Sequence, residues 1–205
     1  MVASIKSTSG TTEDINTTRL AWGPNENGAQ TWFAPPGTSA PPNGPGPGLW
    51  GTTVGPAAFA FDKEELTNIL KHEASHCKDF RNVLSTPGSL MRRIFDQGQA
   101  VPPGLGEPFV RTFSEAGGYR VNVSDPNVSY KFLITPVPIA ATGQTGTEFD
   151  VFKFYYDGAK DILLPKLSGT TRSDAKALLQ TLYDSVVGQF PELKDKEYAP
   201  HLSPP

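Results

Sequence analysis

The sequence predicts an α+β fold, and three observations carry that expectation. A long amphipathic pattern runs from Asp62 to about Leu84, and a second from Ser173 to Phe190. Short extended stretches, bounded by Gly and Pro, lie between them and predict a small antiparallel sheet. The chain has 205 residues, enough for one ordinary domain with a core, or one domain plus a tail. Composition divides it into a Pro/Gly-rich, largely irregular segment over 1–56, a folded domain over 57–191 and a C-terminal tail over 192–205.

The elements follow in order. Ala34 to Gly48 alternates Pro and Gly so densely that neither a helix nor a central strand is expected there. It is a surface loop or linker, or else the ligand of a proline-binding partner. Trp22, Trp32, Phe33 and Trp50 are costly to leave in water, so the pieces 20–23, 30–34 and 49–54 should pack back onto the domain. Asp62 with Glu65 reads as a capping box for the first long helix, which Pro87-Gly88 stops. Leu66, Ile69, Leu70, Cys77, Phe80 and Leu84 form its apolar face. A second helix is expected from Ser89 to about Gln97, and a third from about Glu107 to Arg120 with Pro108 in its first turn. Residues 121–123, 130–134 and 149–156 read as extended, the last two as a hairpin. The helix 173–190 is a core helix, ended by Pro191.

Charge and composition exclude several classes. The net charge is −3, with no basic patch for nucleic acid. No apolar run is long enough to cross a membrane. The opening residues lack an apolar signal core, as expected for a chain that stays in the cytoplasm, leaves by a non-classical route, or is a piece of a longer one. A single cysteine, Cys77, excludes an internal disulfide and a thiolate-rich metal site. It reads as a small buried hydrophobe.

The chemistry concentrates in His72-Glu73-Ala74-Ser75-His76, an H-E-x-x-H string inside the first long helix. Histidines at i and i+4 project from one helical face and can hold one zinc ion, and the intervening glutamate can act as a proton acceptor for a metal-activated water. At about 100° per residue, Glu73 falls in the apolar stripe, with His76 and His72 toward its edge. Such groups are costly to bury unless something satisfies them, and a metal would. A third ligand is then required. Asp79 lies seven residues beyond His72, about 10 Å along the axis, and is out of reach. Gly and His are missing at positions 79 and 82, which excludes the extended three-histidine motif. Glu115 lies mid-helix beside Ala116, Gly117 and Gly118, small residues that permit close helix approach.

His72, Glu73 and His76, followed by Glu115 in a Ser-Glu-Ala-Gly-Gly-Tyr context, resemble the zincin metallopeptidases and within them the gluzincin arrangement. The resemblance spans roughly residues 57–121. It implies a zincin-like domain, with His72, His76 and Glu115 holding zinc, Glu73 as the general base and a peptide or protein as substrate. Glu107, Asp96, Asp125 and His201 remain alternative third ligands. Tyr119, Tyr130, Tyr155, Tyr156, Arg111, Arg120 and His201 could steady an oxyanion, and Tyr119 is nearest in sequence to Glu115. The sequence thus predicts a zinc-dependent hydrolase, a metallopeptidase. The alternatives are a non-enzymatic binding or scaffold protein, and a zincin-like effector domain that binds metal without general peptidase activity.

Overall fold

The computed structural model describes residues 20–22, 29–34, 49–56, 63–100, 104–123, 137–139, 144–195 and 201–205. The fold is α+β, and the chain divides into two compact units, residues 1–93 and 94–205. In the first unit, β1 (Leu20–Trp22), β2 (Ala29–Ala34) and β3 (Leu49–Val54) form one sheet in the order β1-β3-β2. β3 is central, antiparallel to β2 and parallel to β1, so the sheet is mixed. These strands coincide with the three pieces whose aromatic residues called for burial. β2 shows the period of a half-buried strand, with Ala29, Thr31 and Phe33 turned inward. Trp50 is buried in β3.

Helix α1 (Lys63–Ser85) packs against β2 and β3. Leu70, Ala74, Cys77 and Phe80 are buried along it, and Leu66 and Ile69 pack against Ala29 of β2 and Val54 of β3. Asn68 is buried too. The helix stops where Gly88 takes φ +81°, a conformation that favours glycine. The expected capping box at Asp62 and Glu65 lies outside the described side chains.

α2 (Leu90–Ala100) starts after Ser89, whose hydroxyl accepts from the Arg92 N–H at 3.2 Å. α3 (Gly106–Val123) follows. Gly98 lets the start of α3 approach α2 closely, because a Cβ there would lie 2.9 Å from the Leu105 carbonyl oxygen. Residues 121–123, expected to be extended, form the last turn of α3. Their β-branched chemistry suggested a strand, yet Val123 is fully buried as helix, and tertiary burial outweighs propensity. The two glycines at 117 and 118 do not interrupt α3.

β4 (Val137–Ile139) and β5 (Gln144–Gly146) pair antiparallel. The expected strand 130–134 lies outside the described residues. The expected strand 149–156 is instead helix α4 (Glu148–Asp157). Thr147 and Asp150 close a reciprocal capping box at its start, and Phe149, Phe152 and Tyr156 bury at helical spacing. α4 packs against α3 and continues into a π-helical turn, Gly158–Leu163, and a short 3-10 turn ending at Lys166. α5 (Gly169–Gln189) buries Ala175, Leu179, Leu182, Val186 and Val187. Residues 201–205 dock on the same unit: Leu202 is buried, its N–H donates to Leu193 O at 2.8 Å, and Tyr156 Oη donates to Ser203 O at 3.1 Å. No helix among the described residues is long and apolar enough to cross a membrane.

Candidate metal centre

The H-E-x-x-H string is helical throughout, as its spacing requires. His72, Glu73 and His76 are 8%, 7% and 3% exposed, so the helical-wheel placement of all three toward the interior holds. The two imidazoles meet edge to face, with ring centroids 4.6 Å apart and an interplanar angle of 78°. Their Nε2 atoms approach to 2.9 Å, so one ring donates to the other.

A stack of rings holds this pair in place. Phe80, one turn after His76 and fully buried, lies parallel to the imidazole with centroids 5.7 Å apart and planes within 9°. Phe33 from β2 stacks on Phe80 at 5.0 Å and 16°. A strand thereby fixes a phenyl ring, and the phenyl ring fixes the orientation of His76. The spacing of Phe80 from His76 is legible in sequence. The part played by Phe33 is not, because it depends on how β2 lies against α1.

Glu73 carries an uncommon burden. Its Oε2 atom is buried and accepts no hydrogen bond among the described residues. A buried carboxylate oxygen without a donor is costly, typically ~1–3 kcal/mol or more, and persists where a ligand or water is to be met.

Glu115 projects from the middle of α3 and is half-buried. Arg111, one turn earlier, is held by Glu107 at 2.8 Å. Tyr119, one turn later, stacks on Tyr155 of α4 with centroids 5.7 Å apart and planes within 12°. Burial, then the charge of Glu115, push the Tyr155 phenol up to about 12, against an opposing pull from Arg111. The phenol therefore stays protonated and able to donate at neutral pH. Burial also pulls the Arg120 guanidinium below its usual range. Sequence reasoning named both tyrosines as oxyanion candidates but did not pair them.

His72, His76 and Glu115 each offer a ligand atom, and these atoms lie within 4.8 Å of one another. A tetrahedral zinc with bonds of ~2.0–2.2 Å needs ligand atoms roughly 3.3–3.6 Å apart. The 2.9 Å separation of the imidazole nitrogens and the 4.8 Å limit of the cluster bracket that requirement. Two imidazoles and a carboxylate are also the donor types zinc takes in sites that keep a fourth position open. The three residues thus form a compact ligand set consistent with a zincin-like arrangement. Among the described residues, Glu107, Asp96 and His201 do not join it. Asp125 and Tyr130 lie outside the described residues. No protein-family model, curated protein or solved structure matches this chain.

Proposed function

We propose that the chain is a zinc-dependent hydrolase that cleaves peptide bonds. The observation that supports this best is the cluster of His72, His76 and Glu115, with the buried carboxylate of Glu73 between the two histidines in the chain. His72 and His76 through Nε2, and Glu115 through one carboxylate oxygen, would hold the ion. When bound, zinc supplies Lewis acidity, which polarises a carbonyl and lowers the pKa of water.

The chain's own groups do the rest. Glu73 accepts the proton of the attacking water and hands it to the leaving amine nitrogen, so its protonation state is unchanged over a cycle. The open lone pairs of its Oε2 suit that duty. Burial of Glu73 excludes the bulk water that would compete for them. Tyr119 is the proposed donor to the oxyanion as the carbonyl becomes tetrahedral, with Tyr155 stacked on it to hold the ring. A peptide or protein is the proposed substrate, and the proline-rich stretch 34–48 is a proposed site for a separate partner.

Elemental analysis and a cleavage assay test the proposal together. The purified protein should hold one zinc per chain, and His76→Ala should lose most of it. Glu73→Gln should keep the zinc while cleavage of unfolded proteins and peptides falls by ~10² or more. Equal zinc in wild type and a His72/His76 double alanine variant, or cleavage that survives chelator, would exclude the mechanism. Bound zinc without any cleavage would favour the metal-binding effector domain.

A further inference from the structure

Behind the H-E-x-x-H turn, three buried side chains form a hydrogen-bond chain that packing alone does not call for. Thr31 of β2 and Thr52 of β3 are direct cross-strand partners in the sheet. Their hydroxyl oxygens are 2.9 Å apart. Thr52 Oγ1 is 3.1 Å from Cys77 Sγ, and Thr31 Oγ1 is 3.2 Å from the backbone carbonyl oxygen of Glu73. Thr31 Oγ1 and Cys77 Sγ lie 3.9 Å apart, so the groups nearly close a triangle. All three residues are buried.

The direction of every proton in this chain follows from its ends. A carbonyl oxygen only accepts, so the single hydroxyl proton of Thr31 goes to Glu73. Thr31 must then accept from Thr52, whose own proton is thereby committed. Thr52 in turn accepts from the Cys77 thiol. The polarity is Cys77 S–H to Thr52 O–H to Thr31 O–H to Glu73 C=O. Aligned donors polarise one another, which strengthens the last bond.

That last bond has a notable address. In an α-helix the Glu73 carbonyl already accepts the N–H of residue 77, four positions on. Cys77 therefore meets the same carbonyl directly through its backbone and again through its thiol, by way of the two threonines. Valine at 31 and 52 would suit a buried strand face and leave no hydroxyl to satisfy. We infer that Thr31 and Thr52 are positioning residues for Glu73, fixing the rotation of α1 about its own axis at the turn that carries the proposed base. This rests on the reading of Glu73 as that base. Side-chain tips lie ~5–6 Å from a helix axis, so a 10° rotation would carry a carboxylate by ~1 Å. A misplacement of that size costs up to ~10² in rate.

The chain has one cysteine, so the S–H stretching band in an infrared spectrum reports on Cys77 alone. In the wild type the band should lie where a hydrogen-bonded donor absorbs. Thr52→Val should move it toward the position of a free thiol, Thr31→Val should move it less, and Thr31→Ser should leave it unmoved. In the zinc-loaded protein, Thr31→Val should retain its zinc and its KM on a labelled unfolded protein, lose about tenfold or more in kcat, and recover kcat as Thr31→Ser. Thr52→Val serves as the second kinetic variant should Thr31→Val not fold. A band indifferent to Thr52→Val would overturn the chain itself. A shifted band with wild-type kcat in the folded valine variants would overturn the positioning role. A wild type that binds no zinc would sink the hydrolase reading and this role with it, while the band would still read the hydrogen-bond chain separately.

Discussion

Phe80 joins the core of the first unit to the proposed ligand His76, and its replacement should separate stability from metal affinity. The ring is fully buried and stacks on both Phe33 and the His76 imidazole. Phe80→Ala should cost ~3–5 kcal/mol in lost transfer energy and cavity. That is a large share of a typical total of ~5–15 kcal/mol, so the alanine variant is expected to be largely unfolded on mild heating. Phe80→Leu keeps most of the volume and loses the flat wall. It should cost roughly 1–1.5 kcal/mol in a urea melt of the chelator-treated protein. Freed of that wall, the His76 ring must be ordered again when metal binds, a cost of ~0.5–1.5 kcal/mol. Zinc affinity should therefore fall ~2- to 12-fold, measured by competition with a chromogenic chelator. Loss of stability with unchanged affinity would refute the idea that Phe80 orients His76.

Thr147→Ala removes the bond from the Asp150 N–H to the Thr147 hydroxyl, leaves the one from the residue-147 N–H to the Asp150 carboxylate, and should cost ~1 kcal/mol in a denaturant melt, whereas Thr181→Ala, whose hydroxyl only back-bonds to Ala177 O, should stay within ~0.5 kcal/mol. Gly98→Ala should destabilise by ~1–3 kcal/mol, because its Cβ would sit 2.9 Å from Leu105 O. Gly188→Ala, with nothing within 4 Å of its Cβ in α5, should stabilise by ~0.4–1 kcal/mol, and both are read by thermal melts. In an ultraviolet titration, two of the six tyrosines, Tyr155 and Tyr156, should ionise well after an ordinary phenol, since burial raises both. The folded phenol of Tyr155 titrates near 12 and the unfolded one near 10, so its contribution to stability is fully present below pH 10 and is lost between about 10 and 12.

The sequence discloses this centre in proportion to how local each part is. His72, Glu73 and His76 are legible because one helical turn sets their geometry. Glu115 lies far along the chain, and only its small neighbours and the resemblance pointed to it. The misassigned element has a specific cause. Phe149, Val151 and Phe154-Tyr155-Tyr156 are strand-favouring residues, and their aromatic density masked a helical spacing that Thr147 and Asp150 were signalling with a capping box. In the N-terminal stretch, Pro and Gly dominate the composition, while Trp32, Phe33 and Trp50 mark the residues that become β2 and β3. Thr31 and Thr52 could not be singled out from sequence at all. Their meeting is set by strand register, and their meeting with Cys77 by the seating of a helix on that sheet.

The contact between His72 and His76 bears on how the protein behaves before it takes up any ion. A bond between two Nε2 atoms needs one ring protonated there and the other bare, so the neutral pair consists of two different tautomers. Each imidazole thereby meets the other's buried nitrogen. Should the proposed site take zinc, folding is expected not to wait for it, unlike the small zinc modules that stay unfolded without metal. To present both nitrogens outward, one ring must move its proton from Nε2 to Nδ1, an internal rearrangement that leaves the net charge of the pair unchanged. The speed of uptake should therefore depend on how readily water reaches the two rings to carry that proton across.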